Sequence, residues 1–307
     1  MASKTVLVAP LHWGLGHAAR CIPIIEQQLT EGNSVLIAAS DEPRALLKTR
    51  FNSRCTFIEI PFMKITYPKD GNMARHFFLK GPALIWSIWR EHLYLRSLVP
   101  KKKIDVVISD SRFGLWNTCV QSIFISHQIE IKAPLFQGLI NALNRWVMNQ
   151  FDEVWIPDYI EKPGLAGDLS HSQKMPLRCK YIGPLSRFNK KIIQETSADK
   201  VVALVSGPEP QRSLFENQII TRFKASSQKV IILSGKPHIE KKEEANNIII
   251  VNHLNDDELV KELETASLVI ARSGYSTIMD FHVLGVSAEF IATPGQTEQM
   301  YLMQLHS

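Results

Sequence analysis

The stretch LVIARSGYSTIMDFHVLGVSAEFIATPGQTEQ, Leu268 to Gln299, reads as a strand, a glycine turn, a helix, a second strand and a polar loop. Leu268 to Ala271 is an apolar run that breaks at Arg272, Ser273 and Gly274, after which Ile278, Phe281 and Leu284 recur at helical spacing until Gly285. A glycine between strand and helix lets the backbone come close to a ligand. The free amides and positive dipole end of the following helix favour a phosphate. Thr277 and Asp280 fit either of two roles there: a capping box that merely starts the helix, or ligand contacts one turn into it. The loop from Pro294 gathers Gln296, Thr297, Glu298 and Gln299 beyond the second strand, where an open parallel sheet holds its ligands.

The same alternation extends towards the N-terminus. Lys200 to Val205, Lys229 to Leu233 and Asn247 to Val251 are further strand runs, and Leu259 to Ala266 is the helix that returns the chain to the quoted stretch. Thr5 to Ala9 leads into PLHWGLGHAARC, after which Ile22, Ile25 and Leu29 mark a helix that stops at Gly32. Gly14 and Gly16 admit a tight turn, and His17 falls where the helix begins, either as a cap or as a group facing the crevice at the strand ends. A dinucleotide fingerprint needs a third glycine where Ala19 stands, so a dinucleotide cofactor is disfavoured. Ser34 to Ala39 and Cys55 to Ile60 follow as strands. Ile104 to Ser109 is the clearest buried strand and ends at Asp110 and Arg112, positions that suit ligand groups, with a helix cap as the other reading of Asp110. Ser122 to Ile125 precedes His127 and Gln128, Leu135 to Met148 reads as a helix and Asp152 to Pro157 as a strand. The pattern predicts an α/β protein of two doubly wound, Rossmann-like domains facing across a cleft, residues 1–190 and 191–307.

Composition narrows the class. With 307 residues, 45% hydrophobic and 21% charged, the chain can bury two cores, and a net charge of +5 suits an acidic ligand or an anionic membrane surface without reaching a nucleic-acid footprint. Cys21, Cys55, Cys119 and Cys179 stand singly, with neither zinc spacing nor a disulfide framework, which fits a reducing cytoplasm. No run has the length of a signal peptide or a spanning helix. Between Phe62 and Pro100, Arg75, His76, Phe77, Phe78, Lys80, Trp86, Trp89 and Arg90 mix aromatics with bases. Trp86, Trp89 and Leu93 form one helical stripe, which fits either packed core or contact with the inner face of a membrane.

The order Arg272, Ser273, Gly274, Thr277, Asp280, followed by PGQTEQ, resembles the donor half of GT-B nucleotide-sugar glycosyltransferases. It is most similar to family 28, whose type member adds N-acetylglucosamine to the lipid-linked peptidoglycan precursor. The family has Glu where this chain has Asp280, and paired glutamines where it has Gln299 and Met300. WGLGHAAR looks like the family's first glycine turn, YIGPLSR like its interdomain connector, and Ser234 and Gly235 like its next donor turn.

The resemblance implies a transferase that moves a sugar from UDP to a hydroxyl acceptor left open here, lipid-linked in the type member, by inverting displacement without cofactor or metal. It implies His17 as the base and Gly14, Gly16, Asp110, His127 and Gln128 on the acceptor side. On the donor side it implies Gly207 and Arg212 near the donor phosphates, the backbone of His253 and Leu254 on the uracil, and Arg272, Ser273, Gly274, Thr277, Asp280, Glu298 and Gln299 around the rest. Family members continue past the glutamine loop into a final helix, whereas this chain stops eight residues after Gln299. Two rivals share the architecture: a UDP-sugar isomerase and an inactive sugar-nucleotide-binding protein.

Overall fold

The computed structural model describes residues 3–12, 14–62, 73–193, 199–236 and 242–307, with the backbone alone for 73–80. Trp13 and the side chains of Arg75, His76, Phe77, Phe78 and Lys80 therefore lie outside the described residues. The chain forms two compact units, one built mainly from residues up to Leu185 and the other from Ser186 to Ser307.

The first unit runs β1 (Thr5–Pro10), α1 (Leu15–Thr30), β2 (Ser34–Ala38), α2 (Asp41–Phe51), β3 (Thr56–Ile58), α3 (Met73–Lys102), β4 (Val106–Asp110), β5 (Gln121–Ile125), α4 (Gln137–Met148), β6 (Glu153–Ile156) and β7 (Cys179–Tyr181). Its seven strands are all parallel in the order β3-β2-β1-β4-β5-β6-β7. Strands buried on both faces need near-continuous apolar sequence, and Val6 to Ala9 and Val106 to Ile108 supply it. Leu7, Ala9, Leu36 and Val107 pack against Leu95, Leu98 and Val99 of α3, while Phe124 packs against Met148 of α4. Register puts Leu7 beside Val107 and Ser109 beside Phe124. Residues paired across parallel strands share a face and residues two apart on one strand share it too, so α3 and α4 cover the same side of the sheet.

The second unit runs β8 (Lys200–Leu204), α5 (Gln211–Phe223), β9 (Lys229–Leu233), β10 (Lys242–Ala245), β11 (Ile248–Val251), α6 (Asp256–Glu264), β12 (Leu268–Ala271), α7 (Tyr275–Leu284), β13 (Glu289–Phe290) and α8 (Thr297–Leu305). The sheet order is β10-β11-β9-β8-β12-β13, parallel except for β10 against β11. That hairpin turns at Asn246, which adopts φ 54°, a left-handed conformation asparagine tolerates.

Three local expectations change. The Trp86, Trp89 and Leu93 stripe is exposed rather than packed, because α3 turns Leu95, Leu98 and Val99 to the sheet instead. The capping box at Thr277 and Asp280 does not form: α7 already begins at Tyr275 with Gly274 as its N-cap. The reciprocal box occurs one helix earlier, where Asn255 and Glu258 exchange side-chain and backbone hydrogen bonds at the start of α6. Arg112, expected as a ligand group, is buried against Glu91 of α3 at 2.9 Å. Among the described residues no helix is long and apolar enough to cross a membrane, and all four cysteines are free.

Candidate active-site residues in each unit

The order of the first sheet reverses between β1 and β4, whose carboxyl ends lie side by side with Pro10 opposite Asp110. Open α/β sheets place their ligands at such reversals. The turn after β1 passes through Gly14 at φ 71° and delivers the chain into α1 at Leu15, with Gly16 in the first turn of the helix. His17, in the first turn of α1, brings Nδ1 to 3.0 Å from Oδ2 of Asp110, which is fully buried. Arg20, one turn further, donates from Nε to Asp110 Oδ2 at 2.9 Å and from Nη2 to Oδ1. The same guanidinium reaches Nδ1 of His127, just beyond β5, at 3.2 Å and Oγ of Ser111 at 3.1 Å. Ser111 follows Asp110 at φ 57°, a left-handed turn of the kind that collects at functional sites. Gln128 is half-buried, and its carbonyl accepts from Asn144 of α4 at 3.0 Å.

The protons in this cluster can be assigned. Nδ1 of His17 also lies 3.0 Å from Nη2 of Arg20, yet it cannot donate to Asp110 and accept from Arg20 at once. Asp110 remains a carboxylate: burial opposes the charge, but Arg20 and His17 outweigh it and hold the acid well below the ordinary range. A carboxylate only accepts, and Nη2 has Asp110 and Ser111 as alternative acceptors, so the imidazole proton belongs on Nδ1 towards Asp110. Nε2 then carries the lone pair. Burial lowers the His17 pKa, Asp110 works against that, and Arg20 adds to it, leaving a neutral base near pH 7.

In the second sheet the reversal falls between β8 and β12, with Leu204 opposite Ala271. Gly207 follows β8 at φ 103°. Gly235 follows β9 at φ 64°, where an added Cβ would stand 2.9 Å from the carbonyl oxygen of Val205. Arg272, Ser273 and Gly274 follow β12 and lead into α7, whose first turn also holds Thr277. Arg272 is buried, donates to the carbonyls of Ile291 and Ala292 at 3.3 and 2.7 Å, and lies over the Phe215 ring with its guanidinium carbon 3.9 Å from the centroid. Burial lowers its pKa to about 10. No carboxylate lies within ion-pair distance of it among the described residues. Ser273 donates to the carbonyl of Gln299 at 2.7 Å, and Oε1 of Gln299 accepts from the Thr293 amide at 2.8 Å, so the glutamine loop is stitched to the turn. Glu298 lies beside it in the first turn of α8, half-buried.

Other donor-side expectations have partners within the unit. Arg212 pairs with Glu209 at 3.0 Å, and Ser234 donates to Glu216. Leu254 packs its side chain against the second core, and His253 is half-buried beside it. Asp280 is buried and accepts from Ser186 Oγ at 2.6 Å, with Arg187 Nε at 3.4 Å. Burial raises its pKa against the pull of Arg187 and Ser186.

Sequence reasoning does not single out Arg20, Ser111, Ser186 or Arg187. Only Arg20 carries a signal, its i,i+3 spacing from His17 on one helix face.

Residues 196–306 match the Glycosyltransferase family 28 C-terminal domain. Two curated proteins described as uncharacterized glycosyltransferases, from Methanosarcina acetivorans and Methanosarcina mazei, are each 23% identical, and each match covers 93% of this chain and 79% of the relative. Among solved structures, Arabidopsis thaliana UGT89C1 complexed with UDP-L-rhamnose superposes with TM-score 0.64 at 15% identity, covering 99% of this chain and 82% of that one. Acinetobacter baumannii MurG superposes with TM-score 0.55 at 11% identity, covering 98% of this chain and 82% of that one. The fold is the GT-B fold.

Proposed function

We propose that this chain, a glycosyltransferase by its matched domain, curated relatives and fold, moves a sugar from UDP to an acceptor hydroxyl with His17 as the general base. The observation that carries the reading is the His17–Asp110 pair at the reversal point of the first sheet. In the reaction, Nε2 of His17 takes the proton of the acceptor hydroxyl as that oxygen bonds to the anomeric carbon. The bond from that carbon to the UDP oxygen breaks, and UDP leaves with the bonding electrons. One displacement inverts the anomeric centre. Asp110 keeps the ring in the productive tautomer and steadies the imidazolium that forms, and Arg20 keeps Asp110 ionised.

The leaving diphosphate is assigned to the turn of Arg272, Ser273 and Gly274 and the first amides of α7. A helix N-terminus beside a guanidinium with no carboxylate partner among the described residues offers positive potential where negative charge builds. Asp280 is assigned the ribose hydroxyls and Gln299 the sugar. The similarity to UGT89C1, whose structure is complexed with UDP-L-rhamnose, supports this choice of donor.

The test is a panel of UDP-sugars incubated with the protein and cell extract, followed by mass spectrometry. The reading expects UDP release with a glycosylated acceptor. An isomerised donor without acceptor, or no change of any donor, would overturn it.

A further inference from the structure

α4 is inside out. Its buried face consists of Asn141, Asn144 and Met148, and the two asparagines hold the loop after β5 through Ile131 N, the Ile131 carbonyl and the Gln128 carbonyl. Its outward face carries Leu139, Leu143 and Trp146, exposed by 61%, 55% and 63%, with Leu135 and Phe136 exposed just before it. Water-facing helices ordinarily reverse this arrangement. The flank between the two faces lines a cavity of about 410 Å³, bounded by Gln137, Asn141 and Arg145 of α4 and by Lys132, Ser172 and Lys174. Arg145 and Lys174 have no acid within ion-pair distance among the described residues, whereas Lys132 is paired with Asp168 at 3.0 Å. Glu130 also borders the cavity, with its two carboxylate oxygens accepting from Asn141 and Ser172.

We infer that α4 lies in the headgroup layer of a membrane, with Leu139, Leu143 and Trp146 in the acyl boundary and the flanking cavity taking the phosphate of an anionic lipid through Arg145 and Lys174. Three observations select a lipid over a protein partner. α4 contains no acidic residue, so its outward surface complements an anionic layer. A tryptophan with leucines on one side and an arginine on the flank is the composition of an interfacial helix, where the cation stays at phosphate depth while the apolar face sinks. Finally, α3 covers the same side of the sheet and also exposes Ile85, Trp86 and Trp89, so a second apolar surface lies on that side.

The inference is independent of sugar transfer and is read without it. The full chain is sedimented with phosphatidylcholine vesicles and with vesicles containing 30 mol% phosphatidylglycerol, for the wild type, Leu143→Ser with Trp146→Ser, and Arg145→Gln with Lys174→Gln. Each near-surface cation contributes about fivefold to partitioning onto anionic lipid, so the charge pair should lower it about 25-fold. The apolar pair should lower binding to both vesicle types, with thermal melts showing both variants folded. Glycerol 3-phosphate is the soluble probe. The inference expects it to compete weakly, because it lacks acyl chains. Overturning results are unchanged vesicle binding in both α4 variants, loss of binding only when Trp86 and Trp89 of α3 are changed, or wild-type binding of glycerol 3-phosphate with none to vesicles.

Discussion

Arg20 engages both carboxylate oxygens of Asp110, Nε on Oδ2 at 2.9 Å and Nη2 on Oδ1, with both side chains removed from water. Removing one partner of such a pair strands the other. Asp110→Asn should therefore lower stability by about 3 to 5 kcal/mol, because the guanidinium is left buried without its counter-charge. Replacing both residues, Arg20→Met with Asp110→Leu, should cost less than the single change. Urea unfolding checks this, and an unchanged midpoint for Asp110→Asn would contradict it.

His17→Ala should keep its fold and its UDP affinity while losing transfer by at least about 100-fold, the usual scale for a lost general base. The pH dependence has a defined sign. With the native pKa below the free value of about 6.5, the native state holds fewer protons than the unfolded one between those values. The His17 contribution to stability is complete above about pH 6.5 and declines as pH falls through the native pKa. The acid limb of kcat/KM should accordingly have its midpoint below about 6.5. A midpoint above that value would remove His17 from the role of base.

For Asp280 the structural and ligand roles can be separated. Asp280→Ala should cost about 2 to 4 kcal/mol of UDP affinity, two charge-assisted hydrogen bonds allowing for incomplete additivity. Asp280→Asn tests the remainder. The native pKa is raised, mainly by burial, so carrying the carboxylate charge is less favourable in the folded unit than in the unfolded chain. A neutral amide that still accepts from Ser186 should leave the melting temperature unchanged or higher while weakening UDP. Calorimetry and melting measured together decide it: unaltered UDP affinity would confine Asp280 to holding Ser186 and Arg187.

Trp86→Ser with Trp89→Ser should reduce sedimentation with anionic vesicles, and wild-type binding should fall as salt rises from about 0.01 to 0.15 M, where the Debye length shrinks from about 30 to 8 Å. These two rings pack on each other at 5.0 Å yet remain half or more exposed. Equal binding of variant and wild type would contradict a lipid role for α3.

Much of this architecture is legible in residue order. Strands buried on both faces must be apolar throughout, and the glycines at strand ends mark where the chain turns back, so the alternation of Thr5 to Ala9, Ile104 to Ser109 and Leu268 to Ala271 with helical spacing is enough to give two parallel sheets. The positions of His17 and Asp110 are legible for the same reason, since one opens the helix that follows β1 and the other ends β4. Other features depend on partners distant in sequence. Arg20 meets Asp110 across 90 residues, and its i,i+3 spacing from His17 does not by itself distinguish it from a solvated arginine. Arg112 resembles a ligand group in the sequence because its buried acid, Glu91, comes from a helix whose inward face cannot be read from spacing alone. β10 is invisible there because Lys-Glu-Glu-Ala has no apolar alternation and pairs only at the sheet edge. α4 is recognisable as a helix, but periodicity reports that a helix has an apolar side, not which side faces inward.

Arg272 has a thermodynamic consequence of its own. Folding takes its guanidinium out of water and supplies two carbonyls and an aromatic face, but no carboxylate among the described residues, in place of the lost hydration. An anion held at the neighbouring first turn of α7 therefore meets a positive field without having to dehydrate the cation itself. Ligand binding and resistance to heat then become the same quantity. Saturation at 100 times the dissociation constant should add about 2.7 kcal/mol to unfolding, so UDP, and to a smaller extent pyrophosphate, should raise the melting temperature of the wild type. Arg272→Met should lose most of that response while starting from a higher melting temperature without ligand.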